Sequence, residues 1–159
     1  MQIRDALASD VSDILRLSIE LHEHSATGVP SRLRIAERYD DESRRAYADK
    51  VLSDANATYL VAVDGGDLIG YAEIHLREAE QDPAVVPVRR AHLQALVVTA
   101  GRRQEGVGGL LLKASEDWAR AHDADELELD NWIFGGDPGR FYEHAGYAAI
   151  SEMRVKRLE

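Results

Sequence analysis

An α/β fold with a mixed sheet is what this sequence predicts, and three features predict it. Short runs of β-branched and apolar residues alternate with stretches whose apolar positions recur at helical spacing. Asp64-Gly65-Gly66-Asp67 joins two of those runs as a hairpin turn, so part of the sheet is antiparallel. A further run, His92-Leu93-Gln94-Ala95-Leu96-Val97-Val98, leads through a basic, glycine-bearing turn into an amphipathic helix.

The elements follow in order. Ile3 to Leu7 reads as a first strand, and Ser9 or Asp10 caps a helix carrying Val11, Ile14, Leu17 and Leu21 on one stripe. His22 to Arg34, with Gly28-Val29-Pro30, reads as a loop. Asp41 caps a second helix running to Leu52, with Glu42 in its first turn and Tyr47 and Val51 one turn apart. Thr58 to Val63 and Leu68 to Arg77 are the arms of the hairpin. Glu78 to Val88, broken by Pro83 and Pro87, is a loop before the strand His92 to Val98. A helix from Gly108 to Ala121 places Leu110, Leu111, Ala114, Trp118 and Ala121 at helical spacing. Leu127 to Trp132 alternates as a strand, and Pro138 to His144 is a short helix closed by Gly146. Tyr147 to Leu158 reads as the last strand. The order is β-α-α-β-β-β-α-β-α-β in one domain, 1–159.

Composition narrows the classes. The chain has 159 residues, enough to bury its own core. It lacks an apolar run long enough to span a bilayer, and Met1 to Ala6 has no signal-peptide core, so a cytoplasmic location is expected. With no cysteine there is no disulfide framework, thiolate metal site or cysteine nucleophile. Nineteen Lys and Arg stand against 29 Asp and Glu, a net charge of −10. That charge repels nucleic acid and suits a cationic partner such as an amine, although solubility explains it equally well.

The stretch Arg102-Arg103-Gln104-Glu105-Gly106-Val107-Gly108-Gly109-Leu110 has the parts of an anion site. The first amides of a helix have no intrahelical acceptor, and the helix dipole adds partial positive charge. Glycines let a phosphate approach those amides, and Arg102 and Arg103 would place guanidinium groups at the mouth. Gly101 and Gly106 have Walker spacing, but Val107 and Gly108 replace the required lysine and hydroxyl. A dinucleotide loop would need a small residue at Leu111 and an early position in the chain.

Arg103-Gln104-Glu105-Gly106-Val107-Gly108 fits Arg/Gln-x-x-Gly-x-Gly/Ala, and Phe141-Tyr142-Glu143-His144-Ala145-Gly146-Tyr147 fits Phe-Tyr-x-x-x-Gly-Phe/Tyr. In these two blocks, with a helix and a strand between them, the chain resembles the GNAT superfamily of N-acetyltransferases. The resemblance covers nearly the whole chain. It implies a mixed, mostly antiparallel central sheet flanked by helices, and acetyl-CoA as co-substrate with no metal. It places the cofactor against Arg103, Gln104, Glu105, Gly106, Val107, Gly108 and Gly109, with Leu96, Val97 and Val98 offering backbone groups to the pantetheine and acetyl carbonyl. Tyr142 corresponds to the tyrosine that protonates the departing thiolate, a packing role being the alternative.

Strand alternation puts Tyr71, Glu73 and His75 on one face, and His92, Gln94 and Leu96 together on the neighbouring strand. Glu73 matches a family position for the glutamate that deprotonates the amine; His75 and His92 are alternatives as base. Where many relatives carry an asparagine before the tyrosine block, this chain has Gly135. The resemblance implies direct transfer, in a ternary complex, to the primary amine of a small cationic molecule, with a peptide amine as second choice. It also implies a homodimer with the last strand as contact. A catalytically silent CoA-binding sensor on the same fold is the alternative function.

Overall fold

In the computed structural model, which describes residues 1–78, 80–135 and 138–158, five strands form one sheet in chain order. They are β1 (Gln2–Asp5), β2 (Ala57–Asp64), β3 (Asp67–Leu76), β4 (Arg90–Val98) and β5 (Glu126–Leu129). The first four pair antiparallel, and β5 runs parallel to β4. A parallel pair needs a crossover, and helix α3 (Val107–Ala121) supplies it. Gly65 and Gly66 both have positive φ, 61° and 94°, as a two-residue hairpin turn demands.

Two apolar layers flank the sheet. On one side α1 (Val11–Gly28) and α2 (Asp41–Ser53) bury Ile14, Leu17 and Val51 against Tyr59, Tyr71 and Val97. On the other, Leu111 and Leu112 of α3 meet Ala72, Ile74 and Leu93. A short helix α4 (Gly139–His144) follows β5 and adds Tyr142 to the second layer. Among the described residues no helix is long and apolar enough to cross a membrane.

Several boundaries differ from the sequence expectation. The expected loop from His22 is helical as far as Gly28, because nothing before Gly28-Val29-Pro30 breaks the helix and Ala26 is buried. The cap of α2 is Asp40, not Asp41: its carboxylate accepts from the Ser43 amide at 3.0 Å and from the Ser43 hydroxyl at 2.8 Å.

The strand expected to reach Trp132 stops at Leu129. Its last partner is Leu93, and β4 bulges directly after that residue, with Ala95 opposite Glu73 and Leu93 opposite Ile74. Gln94 is the extra residue, so Asp130 has no ladder to join. The expected last strand, Tyr147 to Leu158, does not form. Its apolar residues split between the two parities, Ile150 and Leu158 against Met153 and Val155, so no single face can be buried; all four are exposed. Ala79 of the expected Glu78–Val88 loop, and Gly136 and Asp137 of the glycine-rich loop, lie outside the described residues.

Candidate functional site

The turn between β4 and α3 is built from inside the fold. Gln104 and Gly106 have φ of 67° and 82°. The first intrahelical bond runs from the Leu110 amide to the Gly106 carbonyl, 3.2 Å. The amides of Val107, Gly108 and Gly109 therefore precede it and have no helical acceptor.

Glu20 of α1 holds the other end of the turn, accepting from the Ala100 amide at 2.6 Å and the Thr99 hydroxyl at 3.2 Å. The arginines are not free at the mouth. Arg102 donates to Asp64 and Glu105 at 2.8 and 2.7 Å, and Arg103 donates from Nε to the Val98 carbonyl at 3.1 Å. They brace the turn, and the anion capacity rests on backbone amides. A Cβ built on Gly109 meets nothing within 4 Å, so intramolecular packing does not require glycine there. The room beside these amides suits a phosphate group.

Next to the turn, the sheet opens. β5 pairs with β4 only from Arg90 to Leu93, so among the described residues Gln94 to Val98 have β3 on one side and an unpaired edge on the other. The Thr99 amide donates to the Ile69 carbonyl of β3. Because backbone groups alternate in direction, Val97 also faces β3, whereas Leu96 and Val98 present theirs to the open edge. The Val98 carbonyl is the one taken by Arg103. α4 closes over this region: a Cβ on Gly108 would touch Phe141 at 3.6 Å and Val98 at 3.9 Å. The two sequence blocks that are far apart in the chain thus adjoin. Tyr142 is packed against Phe141 and Tyr147, ring centroids 5.1 and 5.9 Å away, and burial pushes its phenol up to about 12.

Glu73 lies on β3, one strand in from the open edge and opposite Ala95. It is 5% exposed. Tyr47 Oη donates to its Oε1 at 2.5 Å, and His75 Nε2 lies 2.7 Å from the same oxygen. Burial and Glu73 together push the phenols of Tyr47, Tyr59 and Tyr71 above their ordinary range, so all three remain neutral.

Two cavities meet at Tyr47. One, about 510 Å³, is lined by His75, Arg77, Glu78, His92 and Gln94 among others; the second, about 430 Å³, reaches Glu73 beneath α1 and α2. The expected common face of His92, Gln94 and Leu96 does not hold. The bulge at Gln94 reverses parity, leaving His92 opposite His75 while Leu96 turns to the α3 side. His92 is buried, its Nδ1 has no hydrogen-bond partner among the described residues, and burial followed by Arg77 holds its pKa below the ordinary value against Asp130 and Glu128.

Tyr59 is the residue that sequence reasoning does not place at this site, while Tyr47, like Tyr39, His22 and His24, reads from sequence only as a residue that could line a pocket or lie on the surface. Tyr59 stands opposite Glu73 in the β2–β3 register, which a pairing table would have revealed. Tyr47 reaches the carboxylate from another layer, and only the packing of α2 shows it. His22 and His24 are engaged elsewhere, His22 with the Arg34 carbonyl and His24 edge-on to Phe134.

The sequence profile of the Acetyltransferase (GNAT) family matches residues 19–147. An aminoglycoside N(6')-acetyltransferase type 1 of Klebsiella aerogenes is 27% identical over 121 residues, 76% of this chain and 78% of the relative. An aminoalkylphosphonate N-acetyltransferase of Salmonella typhimurium LT2 is 30% identical over 96 residues, 60% of each chain. Among solved structures, a tetramutant of the BH1408 protein of Bacillus halodurans superposes with a TM-score of 0.87 at 26% identity, covering 99% of this chain and 100% of that one.

Proposed function

Since the chain belongs to the acetyltransferase (GNAT) family, we propose that it moves the acetyl group of acetyl-CoA to the primary amine of a small cationic molecule, by direct transfer in a ternary complex. The acetyl donor follows from the family. The two curated relatives, by their names, acetylate amines of small molecules, which supports the acceptor class.

The pyrophosphate is assigned to the turn Arg103, Gln104, Glu105, Gly106, Val107, Gly108 and Gly109, with the amides after Arg103 as donors, since the Arg103 amide is bonded to the Ala100 carbonyl. The pantetheine is assigned to the open edge of β4 at Leu96 and Val98; Val97, expected to share that role, turns its backbone groups to β3 instead. Glu73 takes one proton from the acceptor's ammonium and passes it through His75 toward solvent. The neutral nitrogen attacks the thioester carbonyl carbon, its remaining surplus proton leaving by the same route as the C–N bond forms. The C–S bond breaks, and the thiolate takes the phenolic proton of Tyr142, which solvent later restores. One amide, one free thiol and one net proton result.

The observation that carries this reading is the buried Glu73 carboxylate, held by Tyr47 and His75 one strand from the unpaired edge of β4. Thiol release from acetyl-CoA, measured across an amine panel with both substrates varied, tests it. Intersecting rate patterns with an N-acetylated product are expected. An acetylated protein formed without acceptor, or CoA binding with no turnover of any amine, overturns it. We propose the cytoplasm as the compartment, and a homodimer whose contact includes the exposed Ile150, Met153 and Leu158. A monomer by light scattering at working concentration refutes that assembly.

A further inference from the structure

The cavity that ends at Glu73 differs from what a polycationic acceptor would need. Ile14, Leu15, Tyr59 and Tyr71 give its wall apolar and ring surface, and Tyr47 donates to the Glu73 carboxylate beside them. Tyr59 and Tyr71 meet edge to face, centroids 5.7 Å apart at 78°, so the inner end offers ring surfaces. At about 430 Å³ the cavity has the size of a small-molecule site.

The charged groups at its exposed rim are engaged by neighbouring residues. Asp40 is occupied by the Ser43 amide and hydroxyl. Arg44 donates to the Leu15 carbonyl at 2.6 Å and to the Ser18 hydroxyl, and pairs with Asp41 at 3.3 Å. At the inner end a ligand meets Glu73, whose bonds to Tyr47 and His75 both go to Oε1 and which Tyr59 also faces, together with the phenol rings around it.

We infer that the acceptor is a monoamine on an apolar arm, of the alkylamine or arylalkylamine class, with the arm in this cavity and the ammonium at Glu73. This rests on the acetyl-transfer reading and narrows its substrate. One buried carboxylate matches one ammonium, and tyrosine faces attract a cation through their quadrupoles. Further ammonium or hydroxyl groups on the arm would lose water without gaining partners, which is costly in such a wall. Arg44 at the same cavity repels a second positive charge, and its donors facing Leu15 and Ser18 are not free to read an anion.

The test compares 2-phenylethylamine, spermidine, kanamycin and 2-aminoethylphosphonate as acceptors with the full chain, alongside calorimetric binding of each amine. The aromatic monoamine is expected to have a kcat/KM at least tenfold above the other three. Leu15→Trp, which fills the cavity without touching Glu73, is expected to raise its KM about tenfold, leaving the KM of acetyl-CoA unchanged. A thermal melt confirms that the variant is folded; should it fail to fold, Leu15→Met and Ser18→Val give the same comparison. Preference for kanamycin or the phosphonate, or indifference to the Leu15 variant, overturns the inference. Binding of 2-phenylethylamine that Leu15→Trp abolishes, with no turnover of any amine, supports the cavity assignment while refuting acetyl transfer.

Discussion

Replacing Gly106 with alanine separates the conformational requirement of the turn from its packing. A Cβ at Gly106 meets nothing within 4 Å, so the penalty is not a clash. It is conformational, because φ is 82° and a non-glycine residue there costs about 1–2 kcal/mol. In a chain of this size each kcal/mol moves Tm by about 2–4 °C, so the melt should fall by roughly 2–8 °C. Relaxing that strain rotates the amides that follow. Losing one or two hydrogen bonds to a charged phosphate, at about 1.5–3 kcal/mol each, should raise the Kd of acetyl-CoA at least tenfold.

Gly108→Ala is the internal control. Its Cβ would lie at ordinary contact distance from Phe141 and Val98, on the protein side. Helix propensity predicts a neutral change or a gain of up to about 1 kcal/mol, with affinity kept within a few-fold. Differential scanning fluorimetry with and without acetyl-CoA, followed by calorimetry, reads both quantities. A Gly106→Ala protein with wild-type Tm and Kd, or a Gly108→Ala protein equally impaired, would refute the reasoning.

Other consequences are simpler to measure. Leu111 is fully buried against Ala72 and Ile74, so Leu111→Ala should cost about 2–5 kcal/mol in urea unfolding with the slope unchanged. His92 should make stability pH-dependent. Burial holds its pKa below 6.5, so between that depressed value and 6.5 the unfolded chain binds a proton that the native state does not. The stabilisation is present above pH 6.5 and is lost as pH falls through the folded value. His92→Gln should flatten this part of the urea midpoint profile between pH 7.5 and 5, and an unchanged profile would contradict the assignment.

The parts of the site that the sequence revealed are local. The glycine turn reads directly because helix entry, positive φ at Gly106 and the unbonded amides all arise within a few residues. Tyr71, Glu73 and His75 share a face because strand alternation is local too. The bulge at Gln94 is not local: its parity shift lies in the pairing register of β3 with β4, and it separates Leu96 from His92. The bond from Tyr47 to Glu73 could not be read for a similar reason, since it follows from how α2 packs on the sheet. Arg102 and Arg103 read as ligand-facing because their internal acceptors, Asp64 and the Val98 carbonyl, belong to other elements. The last strand was over-read. Residues 152–156 alternate well, but their apolar neighbours fall on the opposite parity.

The buried carboxylate of Glu73 is proposed to deprotonate the amine, and the steady-state rates and acetyl-CoA affinity of Glu73→Gln beside the wild type decide whether it does. The isostere keeps the cavity's shape and removes the base, whose contribution is of the order of 10²–10⁴-fold. A kcat reduced about a hundredfold or more, with the Kd of acetyl-CoA unchanged, is the expected result. Wild-type kcat in that variant would contradict it.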